Sequence, residues 1–438
     1  MSKESKSYKN SPKKFYIRTF GCQMSKNDSM IMSKILTDHG FLFTTNQDSA
    51  DIYIVNTCTV RAHAENRALA YTAGLKGWKQ KDKRVLAVVG CLAKDKADDI
   101  MKALDFVDLI LGPDSYRRIG EYVSQIINTG TKIIETRMND EIYCGIYPTA
   151  SKVSGFVSIT RGCSNYCSYC IVPYVRGQVR SRPADDIYAE IKHLVGKGVK
   201  DITLLGQNVN EYNHESVDFA ELLEKAADTE GLFRLRFLTS HPKDFDRRIV
   251  HIIKDRPNIC EWFHLPLQSG NNRVLDLMNR KYTKEDYRAL INYIRHDIRD
   301  VAITTDIIVG FPTETTEEFE ETLSLVKELR FDNAYMYRYS ARHNTEASLF
   351  KSLDENTIKR RLSELIQIQS TITKEKTEQM KGKKYEILIE GPARGCASRG
   401  KTRGNKDVVI ETRIKPGEVR NVLITSIKGH TPIGEMVD

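Results

Sequence analysis

The sequence predicts an α/β protein of three parts: an N-terminal parallel α/β sheet domain, a central partial (β/α)6 barrel and a small C-terminal β-barrel. Two successive series of short apolar runs, each run followed by an amphipathic stretch, predict the first two parts. Short strand patterns with Gly-rich turns predict the third. A chain of 438 residues is also too long for one ordinary core.

The predicted boundaries follow from these changes of pattern. We expect a disordered basic arm, a sheet domain, a linker of weak periodicity, a barrel domain and a C-terminal domain, at residues 1–13, 14–130, 131–152, 153–375 and 376–438.

In the first domain, four apolar runs have the length and composition of buried strands, and the first three end in a cysteine. They are KFYIRTFGC, ADIYIVNTC, RVLAVVGC and FVDLILG. Helical patterns follow them at about 26–39, 61–77, 95–105 and 114–126. Strands that alternate with helices predict a parallel sheet.

The same rhythm restarts after the linker with six strand candidates. They are FVSITRGC, DITLLGQNV, RLRFLTSHP, WFHLPLQSG, AITTDIIVGFP and NAYMYRYSA. Six strand–helix units with short loops favour an open barrel over a flat sheet. A helix over about 354–380 then leads to the strand patterns KYEILIEG, DVVIETR and EVRNVLITSIKG.

The formal net charge of +9 comes from the two ends of the chain. Residues 1–14 carry five Lys and one Glu, residues 376–438 carry thirteen Lys or Arg and eight Asp or Glu, and the body between them is neutral. Basic ends are expected of a protein that binds a polyanion. For the N-terminal arm, plain solubility is an equally good explanation.

Other classes are disfavoured. No apolar run is long enough to span a membrane, and the N-terminus lacks the apolar core of a signal peptide, so we expect a cytoplasmic protein. Nine cysteines, an odd number, in such a compartment favour metal or redox chemistry over disulfides.

Cys163, Cys167 and Cys170 lie in the stretch RGCSNYCSYC, directly after the first barrel strand. Thiolates at this spacing can bind three irons of a 4Fe–4S cluster and leave the fourth iron open. Structural zinc would need a fourth ligand, and no Cys or His follows closely. The position also suits chemistry, because active sites of such barrels form at the carboxyl ends of the strands.

A second set consists of Cys22, Cys58 and Cys91, which lie 36 and 33 residues apart and each end a predicted strand. Carboxyl ends of neighbouring parallel strands share one edge of a sheet, so these thiols are expected to converge there. Three buried core cysteines are the alternative. The turns FGCQM, NTCTV and VGCLA favour a second 4Fe–4S cluster with an open iron. The three remaining cysteines, Cys144, Cys260 and Cys396, are expected to be ordinary free thiols.

The central loop resembles that of the radical S-adenosylmethionine (SAM) superfamily, and both sets in this order resemble the methylthiotransferase family within it. The resemblance covers nearly the whole chain and includes a C-terminal domain similar to the RNA-binding TRAM β-barrel. Of the three branches, TFGCQM at 19–24 and LLGQNVN at 204–210 favour the one that modifies isopentenyl-adenosine beside the anticodon of tRNA. The others modify threonylcarbamoyl-adenosine in tRNA or an aspartate of a ribosomal protein, and a non-catalytic RNA-binding iron–sulfur protein is the rival outside the family. The stretch MNRKYT, 278–283, discriminates less.

The resemblance implies the chemistry. Two 4Fe–4S clusters and two SAM molecules per turnover are expected: one SAM methylates a sulfur at the N-terminal cluster. The other binds the open iron at the central loop and yields the radical that activates C2 of the adenine. Expected partners are the tRNA, a flavodoxin- or ferredoxin-type reductase and proteins that supply iron–sulfur clusters or sulfur. No membrane contact is expected, and we expect a monomer. No catalytic side chain beyond the cluster ligands is implied.

The resemblance also suggests contact residues. For SAM they are Tyr169, Gly206, Gln207, Asn208, Thr239, Ser240, Gln268, Val309 and Gly310. For RNA they are Arg176, Arg180, Arg182, Arg394, Arg399, Lys401, Arg403 and Lys406. Plain turn chemistry is the alternative for the first group. A surface face paired with Asp185 and Asp186, or a solvated basic loop, is the alternative for the second.

Two stretches depart from the family pattern. Ser25 follows GCQM where the family usually has Asn, and the loop after the sixth strand reads SARHNT at 340–345 where Pro and Gly are usual. His241 and His264 are expected to be packed or hydrogen-bonded and not iron ligands. Three tyrosines that alternate along the sixth strand, Tyr335, Tyr337 and Tyr339, are expected in the core or pocket wall.

Overall fold

The structure is a computed structural model that describes residues 12–60, 62–81, 84–148 and 153–437. The chain divides into two compact units, residues 1–148 and 149–438. Almost all of the predicted basic arm, residues 1–11, lies outside the described residues. In the described part of the chain, no helix is long and apolar enough to cross a membrane.

The first unit is built on a six-stranded sheet in which every pair of neighbours is parallel. Its strands are β1 (Lys14–Thr19), β2 (Leu42–Phe43), β3 (Ile52–Thr57), β4 (Val85–Gly90), β5 (Leu109–Leu111) and β6 (Ile133–Glu135), in the spatial order β2-β1-β3-β4-β5-β6. Its helices are α1 (Gln23–Asp38), α2 (Ala62–Gly74), α3 (Lys76–Lys79), α4 (Cys91–Asp95), α5 (Ala97–Ala103) and α6 (Ile119–Thr129).

The central strands are apolar on both faces because helices cover both sides. Ile52 and Ile54 of β3 pack in the cluster formed with α1 and α6, whereas Tyr53 and Val55 pack in the cluster formed with α2, α4 and α5. Period-two alternation between two buried layers explains why residues 52–55 of β3 and 85–89 of β4 are continuous apolar runs. The predicted parallel α/β class is confirmed.

The predicted linker at 131–152 is wrong for its first part. β6 extends the sheet by pairing with β5, and Tyr143 is buried, with its hydroxyl donating to the Pro113 carbonyl at 2.6 Å. Arg117 forms a two-bond ion pair with Glu141. These contacts are long-range, so the weak local periodicity of this stretch did not reveal them.

The second unit contains the partial barrel. Three parallel strands, β7 (Ser154–Ser158), β10 (Asp201–Leu205) and β13 (Arg234–Phe237), form one half, and β14 (Trp262–His264), β15 (Ala302–Val309) and β16 (Asn333–Arg338) form the other. Between the halves, the Cys260 N–H donates to the Leu235 carbonyl at 2.9 Å.

The short strands of this unit are β8 (Thr160–Arg161), β9 (Arg180–Ser181), β11 (Asn213–His214) and β12 (Val217–Asp218). The helices are α7 (Val172–Arg176), α8 (Ala184–Gly196), α9 (Phe219–Ala227), α10 (Arg248–Asp255), α11 (Asn272–Leu277), α12 (Lys284–Asp297), α13 (Thr316–Leu329) and α14 (Glu355–Glu378).

A closed five-stranded barrel follows α14, in the order β17-β18-β19-β21-β20. Its strands are β17 (Lys384–Pro392), β18 (Ser398–Lys401), β19 (Asp407–Ile410), β20 (Val419–Lys428) and β21 (Thr431–Met436). It belongs to the same compact unit as the central barrel, because two buried arginines of β13 reach into it. Arg234 pairs with Glu386 at 2.8 Å, and Arg236 donates to the Thr402 carbonyl at 3.0 Å.

Candidate iron–sulfur and cofactor sites

The structure brings Cys22, Cys58 and Cys91 together at one edge of the first sheet. They follow β1, β3 and β4, which are adjacent parallel strands. Cys22 is the N-cap of α1, and Cys91 is the first residue of α4. A hydrogen bond with the Cys22 thiol, burial and the nearby Cys91 raise the pKa of Cys58 well above its ordinary value. Thiols that perturb one another in this way are close enough to serve one site.

Glycines allow this close approach. Gly21 has a φ of +142°, and a Cβ atom on it would lie 2.8 Å from the Cβ of Cys58. Gly90 has a φ of +105°, and a Cβ atom there would overlap the Thr57 carbonyl oxygen. Both positions need glycine for conformation and for space. These two glycines therefore let neighbouring turns of the sheet edge meet.

Each set of three thiols matches the ligands of the predicted cluster in number and kind. Thiolates are the ligands of 4Fe–4S clusters, and each binds its own iron, so three thiolates leave the fourth iron open. In the part of the chain that the structure describes, no group of three or more His, Cys, Asp or Glu side chains is placed to hold a metal ion. The fit therefore rests on the chemistry of the thiols and, for the first set, on its position at the ends of adjacent strands.

The second set, Cys163, Cys167 and Cys170, lies on the loop between β8 and α7. The Cys170 N–H donates to the Cys167 carbonyl at 2.9 Å, and the Cys163 N–H donates to the Gly177 carbonyl at 3.1 Å. Gly162, with a φ of +80°, packs so tightly on the returning backbone that no side chain fits. The loop is thus shaped by its own backbone hydrogen bonds.

The turn after α11 holds this loop from the other side. The Ser168 N–H donates to the Met278 carbonyl at 3.1 Å, and its hydroxyl donates to the Leu277 carbonyl at 2.6 Å. The Asn279 amide donates to the Tyr166 carbonyl at 2.9 Å. The MNRKYT stretch, to which sequence analysis gave no role, therefore positions the cysteine loop.

The thiols of this loop sit in a poorly solvated site. Burial raises the pKa of Cys163 to about 11 and, together with the neighbouring Cys167, that of Cys170 to about 12. Iron binding must displace those protons, because the thiolate is the ligand. Asn165 donates to Cys163 Sγ at 3.5 Å, and Arg280 donates to Cys167 Sγ at 3.3 Å. Sequence reasoning missed Arg280, since nothing local distinguishes it from other arginines of the chain.

Buried polar atoms line the ends of the barrel strands. Gln207 Oε1, Ser240 Oγ and Gln268 Oε1 follow β10, β13 and β14, and they are buried without a hydrogen-bond partner among the described residues. Thr160 Oγ1 is likewise buried without a hydrogen-bond partner among the described residues. Buried polar groups are normally satisfied, so these atoms point to a polar ligand. Three of these atoms belong to Gln207, Ser240 and Gln268, which were predicted to contact SAM.

Backbone conformation supports the same location. Thr239 and Gln268 adopt φ values of +70° and +68° at the ends of the third and fourth strands. Left-handed backbone is costly for a β-branched residue, and such strain concentrates at binding and active sites.

Other predicted SAM residues have structural roles. The Asn208 amide donates to Asp244 at 2.8 Å, and its Oδ1 accepts the His241 N–H at 3.0 Å. The Asn208 side chain is thus hydrogen-bonded within this part of the barrel, and a contact of Asn208 with SAM stays a prediction. Val309 is buried in the apolar cluster of the central barrel, and its contact with SAM stays a prediction.

Three further positions are compatible with the predicted site. Gly206 has no room for a side chain beside Thr160. The Gly310 N–H donates to Glu314 at 3.1 Å, with a φ of +73°. Tyr169 is half-buried and packs on the apolar cluster that contains Phe311.

The predicted RNA contact of Arg182, near the cysteine loop, is wrong. Arg182 is buried and pairs with Glu190 at 2.6 Å and with Asp186. Arg176 is buried as well. Arg180 is half-buried and donates to the Arg176 carbonyl at 2.8 Å. For Arg182 the structure therefore favours the alternative, an arginine paired with acidic residues. One of its partners is Asp186, as that alternative named, and the other is the buried Glu190, one helical turn further along.

The predicted RNA-binding residues of the C-terminal barrel fall into two groups, exposed residues and residues held in intramolecular contacts. Arg394 and Arg399 are exposed. Arg403 instead makes a two-bond ion pair with Glu261 of the central barrel, and Lys406 donates to the Thr377 hydroxyl at 2.9 Å. Lys401 donates to Asn405, and with Arg399 it lies on β18, not in the expected loop. Arg403 and Lys406 hold the barrel in place, which corrects their predicted contact with RNA.

The two histidines agree with the packed alternative, whereas the three tyrosines of the sixth strand do so only in part. His264 lies between Thr304 and Asp306, at 3.1 and 3.4 Å. Burial and the nearby Arg280 lower the pKa of His241 to about 2. Tyr337 and Tyr339 are half-buried, whereas Tyr335 is exposed and lies edge-on to His264, so Tyr335 is not a core residue. The three extra cysteines, Cys144, Cys260 and Cys396, form no disulfide.

Comparison with known proteins first defines the class. Residues 157–326 match the model of the radical SAM superfamily, and residues 14–112 match the model described as "Uncharacterized protein family UPF0004". The fold resembles that of the radical SAM methyltransferase TsrM from Kitasatospora setae, with a TM-score of 0.59, 13% identity and 77% of each chain covered. It also resembles the cobalamin-dependent SAM radical enzyme OxsB, with a TM-score of 0.52, 11% identity, and 82% of this chain and 58% of that chain covered. Together with the three-cysteine loop at the first barrel strand, these findings define a radical SAM enzyme.

Two relatives define the family. One, from Thermodesulfovibrio yellowstonii, is 42% identical over 96% of this chain and 98% of its own length. Another, from Clostridium beijerinckii, is 43% identical over 97% of this chain and 96% of its own length. Both are named tRNA-2-methylthio-N(6)-dimethylallyladenosine synthase, and the chain belongs to this family.

Proposed function

We propose that this enzyme replaces the hydrogen at C2 of N6-isopentenyladenosine, beside the anticodon of tRNA, with a methylthio group. The product is 2-methylthio-N6-isopentenyladenosine. The observation that carries the proposal is the convergence of a second set of three thiols, Cys22, Cys58 and Cys91, at one sheet edge. A radical SAM enzyme that uses one cluster only for radical formation has no need of it, whereas sulfur insertion needs a second site.

We assign each three-thiol set to one 4Fe–4S cluster with an open iron. Cys163, Cys167 and Cys170 hold the cluster that binds SAM. When bound, the clusters and SAM supply the sulfur, the methyl group and the radical that activates C2. The protein supplies binding and shelter from water.

The unsatisfied atoms at the barrel mouth are assigned to SAM. Gln207, Ser240 and Gln268 present buried acceptors or hydroxyls at successive strand ends, and the amino and hydroxyl groups of SAM are donors that satisfy them. The left-handed backbone of Thr239 and Gln268 fixes these directions in advance.

The tRNA is assigned to the exposed face of the C-terminal barrel. Arg394 and Arg399 remain open to solvent there. Phosphate contacts of this kind give affinity, and the choice of base comes from placing the adenine in the barrel. The reaction also calls for a flavodoxin- or ferredoxin-type electron donor and for proteins that restore the lost sulfur. We expect a cytoplasmic monomer.

The test begins with anaerobic reconstitution of the wild type and of the Cys22→Ala/Cys58→Ala/Cys91→Ala variant. Iron should fall from about eight to about four per chain. The wild type should convert tRNA that carries isopentenyl-adenosine, detected as a methylthio nucleoside by mass spectrometry, and should leave tRNA without the isopentenyl group almost unmodified.

Equal iron in both proteins would refute the second cluster. Equal turnover of tRNA that carries threonylcarbamoyl-adenosine would assign the chain to a sister branch. If the triple-alanine variant converts the tRNA as fast as the wild type, the N-terminal cysteines have only a structural role.

A further inference from the structure

Arg280 is a buried cation for which the described residues supply no carboxylate partner. Only 4% of the residue is exposed. Its guanidinium donates to Cys167 Sγ at 3.3 Å, to the Pro266 carbonyl at 3.2 Å and to the Tyr282 hydroxyl at 3.1 Å. In the described part of the chain, no Asp or Glu lies within ion-pair distance of it. Two other buried arginines, Arg182 and Arg361, differ in this respect because each contacts a carboxylate.

A cation in such a place needs an anion. Burial of an unpaired charge costs several kcal/mol, so buried charges are normally paired or bind a charged group. The groups that face Arg280 are Tyr169, Tyr282, His241 and two cysteines of the loop, Cys167 and Cys170. Its guanidinium donates directly to one of them, Cys167. The sulfur-bearing loop is therefore where the missing anion belongs.

The backbone is built to hold Arg280 in that position. Its two neighbours in sequence, Asn279 and Lys281, have φ values of +57° and +59°. Left-handed backbone at a lysine is uncommon, and two such residues around one arginine indicate a direction that the surrounding structure enforces. The turn that contains them also fixes the cysteine loop through Ser168.

We propose that Arg280 is a positioning residue that supplies the counter-charge of the cluster bound at Cys167 and raises its reduction potential. Three thiolates give the cluster-loaded site a net negative charge, and one-electron reduction adds one more negative charge. A guanidinium that donates to a ligand sulfur therefore stabilises the reduced cluster more than the oxidised one. Cluster potentials respond to net charge and to hydrogen bonds on the sulfurs. This inference rests on the proposed function, because it requires Cys167 to bind a cluster iron.

The experiment uses the full chain with Cys22→Ala/Cys58→Ala/Cys91→Ala, which leaves one cluster to observe. In that parent we compare Arg280→Met, Arg280→Lys and two controls. Tyr282→Phe removes another hydrogen-bond partner of the guanidinium and leaves the contact with Cys167 in place. Arg236→Lys changes a different buried arginine, which is 3% exposed. The readouts are iron per chain and the midpoint potential from redox titration followed by electron paramagnetic resonance.

Arg280→Met should lower the equilibrium constant for one-electron reduction at least tenfold, which is about 59 mV. Arg280→Lys, which keeps the charge but loses the planar fork, should lie between Met and the parent. Both controls should keep the parental potential.

A parental potential in Arg280→Met at full iron content overturns the inference and leaves the proposed function intact. A parent without about four irons per chain contradicts the proposed function itself. If Arg280→Met takes up no iron, Arg280→Lys and Tyr282→Phe decide. A lowered potential in the lysine variant alone supports the inference, and equal potentials in the two variants overturn it.

Discussion

Gly21 lies so close to Cys58 that a Cβ atom on the glycine would stand 2.8 Å from the Cβ of the cysteine. Its φ of +142° adds a second constraint, because residues with a side chain avoid that backbone. Two strand ends of the first sheet meet at this contact. The spacing of the N-terminal thiols therefore depends on a residue that binds nothing.

We expect Gly21→Ala to weaken the N-terminal site. Strain and the clash should cost about 1–3 kcal/mol, and iron should fall from about eight toward about four per chain. Iron analysis and the thermal midpoint check this. Gly74→Ala is the matched control, because a Cβ atom there meets nothing within 4 Å. Equal iron in the two variants would contradict the prediction.

A second prediction concerns the strain at Thr239. With a φ of +70°, this β-branched residue is in a backbone region that glycine adopts freely. Thr239→Gly should raise the thermal midpoint and weaken SAM binding by about tenfold, or ~1.4 kcal/mol, because Ser240 and its neighbours lose their fixed direction. Equilibrium dialysis of SAM on reconstituted protein measures the second effect.

Thr203→Gly provides the contrast, since Thr203 lies in the regular strand β10. Glycine there should lower the thermal midpoint, because it weakens a strand that needs no such conformation. Lower midpoints in both variants would show that the conformation of Thr239 stores no strain.

Local signals predicted much of the molecule. The buried strands, their parallel arrangement and both three-cysteine sets follow from apolar runs and from the positions of cysteines at strand ends. The short edge strand β6 and the roles of Arg182 and Arg403 did not follow, because they depend on partners far away in sequence. Arg403 reaches Glu261 across 142 residues, and Arg280 reaches Cys167 across 113. An arginine in the sequence carries no sign of whether it will meet phosphate, carboxylate or sulfur.

A third prediction separates RNA contacts from structural cations in the C-terminal barrel. Arg394→Ala/Arg399→Ala should weaken tRNA binding and reduce the slope of log affinity against log salt by about two, because two phosphate contacts are lost. Arg403→Ala should leave that slope nearly unchanged and lower the thermal midpoint, because Glu261 loses its two-bond partner. Filter binding over a range of salt concentrations distinguishes the two outcomes. The reverse pattern would place the RNA on the opposite face of this barrel.

The last prediction concerns pH. The Glu314 carboxylate accepts the Gly310 N–H at 3.1 Å and pairs with Arg361 at 2.8 Å. Burial raises the pKa of Glu314 to about 7, although Arg361 and that N–H oppose the rise. The folded chain then holds this proton more tightly than the unfolded chain, whose glutamate has a pKa of about 4.3. Stability should therefore fall as pH rises from about 4.3 to about 7 and change no further above it.

Glu314→Gln should consequently reduce the difference in thermal midpoint between pH 5 and pH 8. Glu318→Gln is the control on the same turn of the chain, because Arg273 lowers the pKa of Glu318 and places its titration below this range. That variant should shift the midpoint equally at both pH values. If Glu314→Gln also shifts both equally, Glu314 is ionised throughout, and its pair with Arg361 outweighs the cost of burial. The Gly310 loop would then be held by a charged acceptor at every pH in this range.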